Sequence, residues 1–516
     1  MNILTAMEVR ELDKETINSG KSGMELMENA GLGFVQALTR RLGDITGKSI
    51  LVFTGSGNNG GDGMVIARYL EKRKAVVEVI LLADENKIKN EALRNLERAK
   101  KLENIKFTSG LDISLNEIEQ KLSSCDVIVD AIYGTGFHGK ITGRVKDVIE
   151  RINDSGAYTV ACDIPSGVNG DAGTIECGTA VNADTTITFG YPKWGLFISP
   201  GKNYAGSIEV VDIGLAVKSN KSRYQLTVTG EVKAILKKRK KDVYKNNFGH
   251  LLVLAGCRGM TGAAALACSG ALRSGAGLVT LGVPQSVVNV FAVKLTEAMI
   301  LPLPETKEGT TGAGAFKIIN EFMQRKKINA IAIGPGLSTN EETQELVRKL
   351  VSDTRVPCVL DADGINAFSG HESLLGTVKS KVIITPHQGE LSRLIKKDIK
   401  DIEKDRIGTA KSFAKKYGLI CVLKGYQTVI SNGIYSFINP TGNPGMASGG
   451  TGDVLTGILA GLLCQLPRAD ILDIARAGVF LHGLAGDIAL QEKGEMSLIA
   501  SDIIDGIAEA IKIIKK

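Results

Sequence analysis

The stretch SILVFTGSGNNGGDGMVIARYLEK, residues 49–72, runs from an apolar segment of strand length through a glycine-rich loop into a segment of helical spacing. Strand, glycine loop and helix in that order make an anion cradle. Backbone N–H groups and the positive end of the helix face one point, and glycine lets a ligand come close. Gly55, Gly57 and Gly60 satisfy GxGxxG, and Glu78 and Asp84 follow about 20 residues on, where a dinucleotide site keeps its ribose acceptor. A turn serving chain geometry alone is the competing reading. Asn58, Asn59 and Asp62 weigh against it, since polar side chains inside the loop suit ligand or ion coordination.

Outward from this unit, β-branched runs at 76–82, 126–132, 157–162 and 184–189 alternate with helical stretches near 87–101 and 144–153. Thr5 with Glu8 and Ser22 with Glu25 match capping boxes and predict two helices before the first strand. The pattern is that of an α/β domain, a doubly wound parallel sheet with helices on both faces, over residues 1–215. Two further loops follow strands, AIYGTGFHGK at 131–140 and CDIPSGVNGDAG at 162–173. In a parallel sheet such loops gather at the carboxyl edge, where open α/β domains bind ligands. Asp130, Asp163 and Asn59 then stand together for a cation or a proton transfer, while His138 reads as a loop histidine.

Residues 216–243 turn polar and basic and are expected to be a linker, with KKRKK at 237–241 a solvated run. A second α/β series occupies 244–516, with strands at 250–255, 278–282, 330–333, 358–360, 382–385 and 420–423 and a helical end from 452 capped at Ser497. The halves share no motif, so the chain reads as a fusion of two unlike domains.

Composition bounds the function. At 516 residues, 43% hydrophobic and 23% charged, the chain is globular and large enough for several cores. The net charge of +7 is concentrated in the basic run and aromatics are only 5%, so no nucleic-acid partner is expected. Eight scattered cysteines form no CxxC pair and read as buried thiols, which disfavours zinc and disulfides. The start, MNILTAMEVRELDKE, lacks a signal core, and the apolar stretch 454–466 is too short to span a bilayer. A cytoplasmic location, no membrane association and a homo-oligomer are expected.

Taken together, NNGGDG, DAIYGTG and DIPSGVNGD resemble the NAD(P)H-hydrate epimerase domain over roughly the first 215 residues. The resemblance implies a Rossmann-like fold. It implies that Asn58, Asn59, Gly60, Gly61 and Asp62, with Gly134, Thr135, Gly136, Phe137, His138, Gly139 and Lys140, line the site for the hydrated dinucleotide. It further implies a potassium site of Asn59, Asp130 and Ser166, and Asp163 as the carboxylate that transfers a proton at the modified nicotinamide ring. The family interconverts the R and S forms at C6 of the damaged cofactor.

In the second half, GNPGMASGGTGDVLTG, residues 442–457, places Gly449, Gly450 and Gly452 at the start of an apolar helix, so that free amides and the helix dipole meet an incoming phosphate. Asp453 there is placed to accept a hydroxyl proton as a phosphoryl group arrives. Its plainer reading is a helix-start acid worth ~0.5 kcal/mol. The loop resembles the GxGD signature of ribokinase-like kinases. KGYQT, GPGL, DADG and TPHQGE narrow the likeness to the NAD(P)H-hydrate dehydratase branch. That resemblance assigns Lys424, Gly425, Tyr426, Gln427, Thr428 and Gly452 to an adenine nucleotide, and Ala263, Gly336, His387 and Asp453 to the hydrated dinucleotide. One departure stands out: the magnesium-associated NxxE of sugar kinases is here His387-x-x-Glu390, so magnesium placement does not carry over. Ser448 stands where threonine is expected, a milder change.

The chemistry agrees. Water added across the 5,6 double bond of NADH or NADPH leaves a C6 hydroxyl, a poor leaving group, beside a ring nitrogen whose lone pair helps expel it. Phosphorylation supplies the leaving group and elimination restores the dihydronicotinamide. The expected substrates are the hydrates NADHX and NADPHX, with potassium and magnesium as ions. The fused arrangement resembles the bacterial form, which implies ADP as phosphoryl donor; sequence chemistry alone leaves ADP and ATP open. Two alternatives remain at this stage: a ribokinase-like small-molecule kinase with a regulatory dinucleotide-binding domain, and a first domain that only binds.

Overall fold

The computed structural model describes the chain except residues 138, 176–177, 216–221 and 240–241. His138, Cys177, the last two lysines of the basic run and part of the expected linker therefore lie outside the described residues. The chain divides into two units, Asn2–Ser222 and Arg223–Lys516 together with Met1.

In the first unit, seven parallel strands form one sheet: β1 Ser49–Thr54, β2 Val76–Leu81, β3 Ile105–Ser109, β4 Val127–Ala131, β5 Tyr158–Cys162, β6 Thr185–Phe189 and β7 Ser207–Val211, in the order β3-β2-β1-β4-β5-β6-β7. Ile50 and Val52 of β1 pack into one core and Leu51 and Phe53 into another on the opposite face. That two-sided burial is why the strand reads as an unbroken apolar run. The helices α1 Ala6–Asn18 and α2 Gly23–Leu42 start at Thr5 and Ser22; Thr5 and Glu8 close a reciprocal capping box. The helix α3 Asn58–Lys72 follows β1 directly. Strand order reverses between β1 and β4, which opens a crevice at their carboxyl ends. The edge strands β3 and β7 escape sequence reading because each is half-exposed and polar at alternate positions.

The second unit holds a ten-stranded sheet. Its strands are β8 Tyr224–Leu226, β9 His250–Leu254, β10 Leu278–Pro284, β11 Met299–Leu303, β12 Ala330–Ile333, β13 Cys358–Leu360, β14 Val382–Ile384, β15 Ile420–Leu423, β16 Val429–Ser431 and β17 Ser436–Ile438. The order is β11-β10-β9-β12-β13-β14-β15-β16-β17-β8, parallel from β11 to β15 and antiparallel through β16 and β17. The stretch expected as a plain linker contributes β8 and the helix Thr229–Ile235, because Leu226 and Val232 suffice to bury a short edge element.

The last helices are Thr451–Gln465, Ile471–Lys493 and Ala500–Lys515. Ser497 does not cap the last one: its hydroxyl bonds the Lys493 carbonyl, and the Asp502 carboxylate instead accepts the Ile499 N–H at 2.9 Å. Helix Thr451–Gln465 lies backbone to backbone against Thr261–Ser274. A Cβ on Gly457 would stand 2.0 Å from the Ala267 carbonyl, and one on Gly461 would stand 2.7 Å from that of Ala271. These glycines set the depth at which helix Thr451–Gln465 sits.

Candidate functional site

At the switch point of the first unit lies a cavity of about 540 Å³, lined by Gly57, Asn58, Asn59 and Asp62 from the β1–α3 turn, by Gly134, Thr135, Gly136 and Phe137 after β4, and by Asp163 after β5. Gly60 and Gly61 do not line it. A Cβ on Gly60 would meet the Gly55 carbonyl at 2.0 Å, and one on Gly61 would meet Met27 and Ala92, so these two serve close packing of α3. Gly139 and Lys140 are not among the lining residues either. The expected ribose acceptors are committed elsewhere: Glu78 pairs with Lys121 at 2.7 Å, and Asp84 accepts the Asn86 N–H at 3.0 Å.

Beneath the cavity floor, Asp130 is fully buried; it accepts the Ser166 hydroxyl at 2.6 Å, the Ser166 N–H at 2.8 Å and the Ile132 N–H at 3.2 Å. Burial outweighs those bonds and raises its carboxyl to about 6. The Ser166 hydroxyl also accepts the Tyr133 N–H at 2.8 Å. Asn59 is buried with both side-chain polar atoms unpartnered, facing Gly134 next in chain to Tyr133. An oxygen-rich set with an orphaned amide oxygen and a buried carboxylate that has no cationic partner among the described residues fits a hard monovalent cation and does not fit zinc.

Asp163 holds a left-handed backbone, φ 69°, at the end of β5. Its Oδ1 accepts the Phe189 N–H at 3.0 Å, the Thr188 hydroxyl at 3.1 Å and the Lys193 ammonium. Lys193 is 1% exposed and also donates to the Phe189 carbonyl at 3.0 Å. Asp13, from α1, completes the wall; burial raises its carboxyl, with Lys193 opposing and Asp163 adding. Sequence reasoning missed both Lys193 and Asp13, since only the β5–β6 pairing and the fold of α1 bring them in.

In the second unit, a pocket of about 330 Å³ gathers Lys424, Gly425, Tyr426, Gln427, Thr428, Thr451 and Gly452. Gly450 caps the helix Thr451–Gln465 in a left-handed conformation, φ 95°. A Cβ on Gly452 would lie 3.4 Å from the Lys424 Nζ, so the ammonium stands over the helix start beside Asp453. Burial raises the Asp453 carboxyl to about 7; Asp361, Asp363 and Glu390 add to this and Lys424 opposes it. Lys424 bonds the buried Asp361 at 2.7 Å, and Asp361 also takes the hydroxyls of Thr385 at 2.8 Å and Thr456 at 2.7 Å.

Gly336, φ 63°, stands against Ala263: a Cβ on it would be 3.2 Å from the alanine's. His387 is explained by its helix. Its Nδ1 accepts the Gly389 N–H at 3.0 Å, and Glu390 returns a bond from the His387 N–H at 2.7 Å, so histidine is the N-cap of the helix Gln388–Ile395. Asp361 is saturated, Glu390 caps a helix, and no cluster of three metal-binding side chains exists among the described residues. His482, also missed, donates from Nε2 to the Thr451 carbonyl at 2.9 Å; burial lowers it to about 4.

Two α/β units, each gathering carboxylates and a lysine at the carboxyl edge of its sheet, define a two-site enzyme of small polar metabolites. The sequence model described as NAD(P)H-hydrate dehydratase matches residues 251–509, and that described as YjeF-related protein N-terminus matches 23–195. The bifunctional NAD(P)H-hydrate repair enzyme Nnr of Moorella thermoacetica is 39% identical over 98% of this chain and 96% of its own length. That of Thermofilum pendens is 35% identical over 100% and 97%. Among solved structures, the ADP/ATP-dependent NAD(P)H-hydrate dehydratase of Bacillus subtilis, co-crystallized with ATP/Mg2+, is 31% identical, covering 56% of this chain and 98% of its own, with a TM-score of 0.49. The chain belongs to the family of bifunctional NAD(P)H-hydrate repair enzymes, joining an NAD(P)H-hydrate epimerase to an NAD(P)H-hydrate dehydratase. No helix among the described residues is long and apolar enough to cross a membrane.

Proposed function

We propose that the first unit interconverts R- and S-NAD(P)HX with Asp163 as its proton-transferring base, and that the second unit dehydrates the S epimer at the expense of ADP, releasing AMP and phosphate. The observation that carries the second assignment is that Lys424 and Gly452 line one pocket at the start of the helix Thr451–Gln465, where the Lys424 ammonium acts on the Asp453 carboxyl, raised to about 7. Asp453 takes the C6 hydroxyl proton, Lys424 and the loop amides stabilise the phosphoryl group, and Ala263, Gly336 and His387 hold the hydrated dinucleotide. Magnesium arrives on the nucleotide phosphates and not in a protein cage. Hydrated NADH epimers mixed with ADP or with ATP, followed by dihydronicotinamide absorbance together with AMP or ADP formation, test this directly. A stable phosphorylated product without recovered NADH would instead indicate a small-molecule kinase.

Because the base must be ionised, S-epimer dehydration should rise with pH through about 7 and level off above it. Lys424→Met should move that midpoint upward, since the ammonium holds the carboxyl down. A kcat/KM that stays flat between about pH 5.5 and 8.5 would count against Asp453 as base.

Asn59, Asp130 and Ser166 would hold potassium, which, when bound, neutralises the buried Asp130 charge under the substrate loops. Epimerisation and the melting temperature of the full chain should both be higher in potassium than in tetramethylammonium at equal ionic strength, and zinc chelators should change neither. Equal values in the two cations would remove the site.

A further inference from the structure

Four carboxyl groups, Asp13, Asp62, Glu91 and Asp163, and two cationic side chains, Lys193 and Arg10, line the first unit's cavity. They are not equivalent. Asp163 receives the Lys193 ammonium, a hydroxyl and a backbone N–H on one oxygen. Asp62, on the same cavity wall, receives no hydrogen bond on its carboxyl among the described residues.

We propose that epimerisation uses an unlike pair of carboxyls, Asp163 as base with Lys193 as its positioning residue, and Asp62 as the acid. This rests on the reading of Asp163 as base. The electrostatics agree: burial holds the Asp62 carboxyl well above its ordinary range, Asp163 and Asp13 push it further, and Lys193 only partly opposes them. Lys193 is bonded to Asp163, which leaves Asp62 as the carboxyl placed to carry the proton.

The step balances without a co-reactant. Asp163 takes the proton of the C6 hydroxyl, the oxygen's electron pair forms the C=O bond, and the C6–N1 bond breaks. Its electron pair stays on N1, which receives the Asp62 proton. The open-chain aldehyde turns about its C5–C6 bond and recloses with both transfers reversed, presenting the other face of C6. Asp62 is preferred to Asp13 because burial acts on it more strongly and it lies on α3, the helix that carries Asn58 and Asn59 into the same wall.

Epimerisation measured on single epimers against pH tests this in the full chain, with S-epimer dehydration and melting as checks of folding. Asp62→Asn should lower epimerisation about 100-fold and abolish the alkaline limb of its pH profile. Lys193→Met should move the acid limb upward by about one pH unit or more, as loss of a paired cation does, and Lys193→Arg should restore it. Asp13→Asn should keep both limbs, the alkaline one moved downward because the Asp13 charge no longer pushes the Asp62 carboxyl up. Retention of the alkaline limb in Asp62→Asn, its loss in Asp13→Asn, or an unmoved acid limb in Lys193→Met overturns the proposal. An inactive Asp163→Asn beside a fully active Asp62→Asn would sink the acid alone, whereas a fully active Asp163→Asn would sink the base assignment beneath it.

Discussion

Asp453→Asn should leave the two epimers interconverting at their ordinary rate while dehydration of the S epimer falls by about a thousandfold, within the ~10²–10⁴ range for a positioned general base. The size of the effect separates the two readings of this residue. A thousandfold loss corresponds to about 4 kcal/mol of barrier, whereas a carboxylate in the first turn of a helix contributes about 0.3–1 kcal/mol through the dipole. The dipole share is smaller still for a carboxyl raised to about 7, which is partly neutral at working pH. Asparagine keeps the size of the side chain, so the close approach of this helix to Thr261–Ser274 through Gly457 and Gly461 is undisturbed. Single-epimer assays by chromatography, with the melting temperature beside them, check the outcome. Undiminished dehydration, or a fall that tracks a large loss of melting temperature, would refute a chemical role.

The elements that carry these sites were legible where local signals suffice. Thr5 with Glu8 marks a helix start, the 49–72 stretch gives strand, loop and helix, and the glycine run ending at Gly452 gives a second. What was not legible depends on pairing across the sheet. Lys193 is 30 residues from Asp163 and meets it only because β6 lies beside β5; Asp361 is 63 residues from Lys424 and meets it across β13 to β15. Glycine was over-read for a related reason. Gly60 and Gly61 occur in a ligand-type motif, but a Cβ on Gly60 would meet the Gly55 carbonyl and one on Gly61 would meet Met27 and Ala92, while Gly63 is the glycine whose missing Cβ lets α3 approach Thr54 of β1 and Ala131 of β4. His387 was read as a departure in metal chemistry, whereas the N-cap geometry accepts any side-chain acceptor of the right reach.

Asp163→Asn should slow epimerisation by about a thousandfold and leave S-epimer dehydration at its ordinary rate, because the two reactions draw on different carboxylates. The substitution is mild on the backbone. Asp163 is left-handed, and asparagine tolerates that region as well as aspartate does, so the β5 turn should persist. The amide oxygen can still accept the Phe189 N–H and the Thr188 hydroxyl. What it cannot do is hold a full negative charge against Lys193, so the loss is of ionic pairing and basicity together. In a mixture of epimers the S form should then be consumed promptly, and the R form should decay only at its spontaneous rate of isomerisation. That biphasic time course, read by chromatography, distinguishes loss of the base from a general loss of folded enzyme, which would slow both phases. If S-epimer dehydration slows in step with epimerisation, or if the R form still disappears in one phase with the S form, the assignment of separate chemistries to the two units fails.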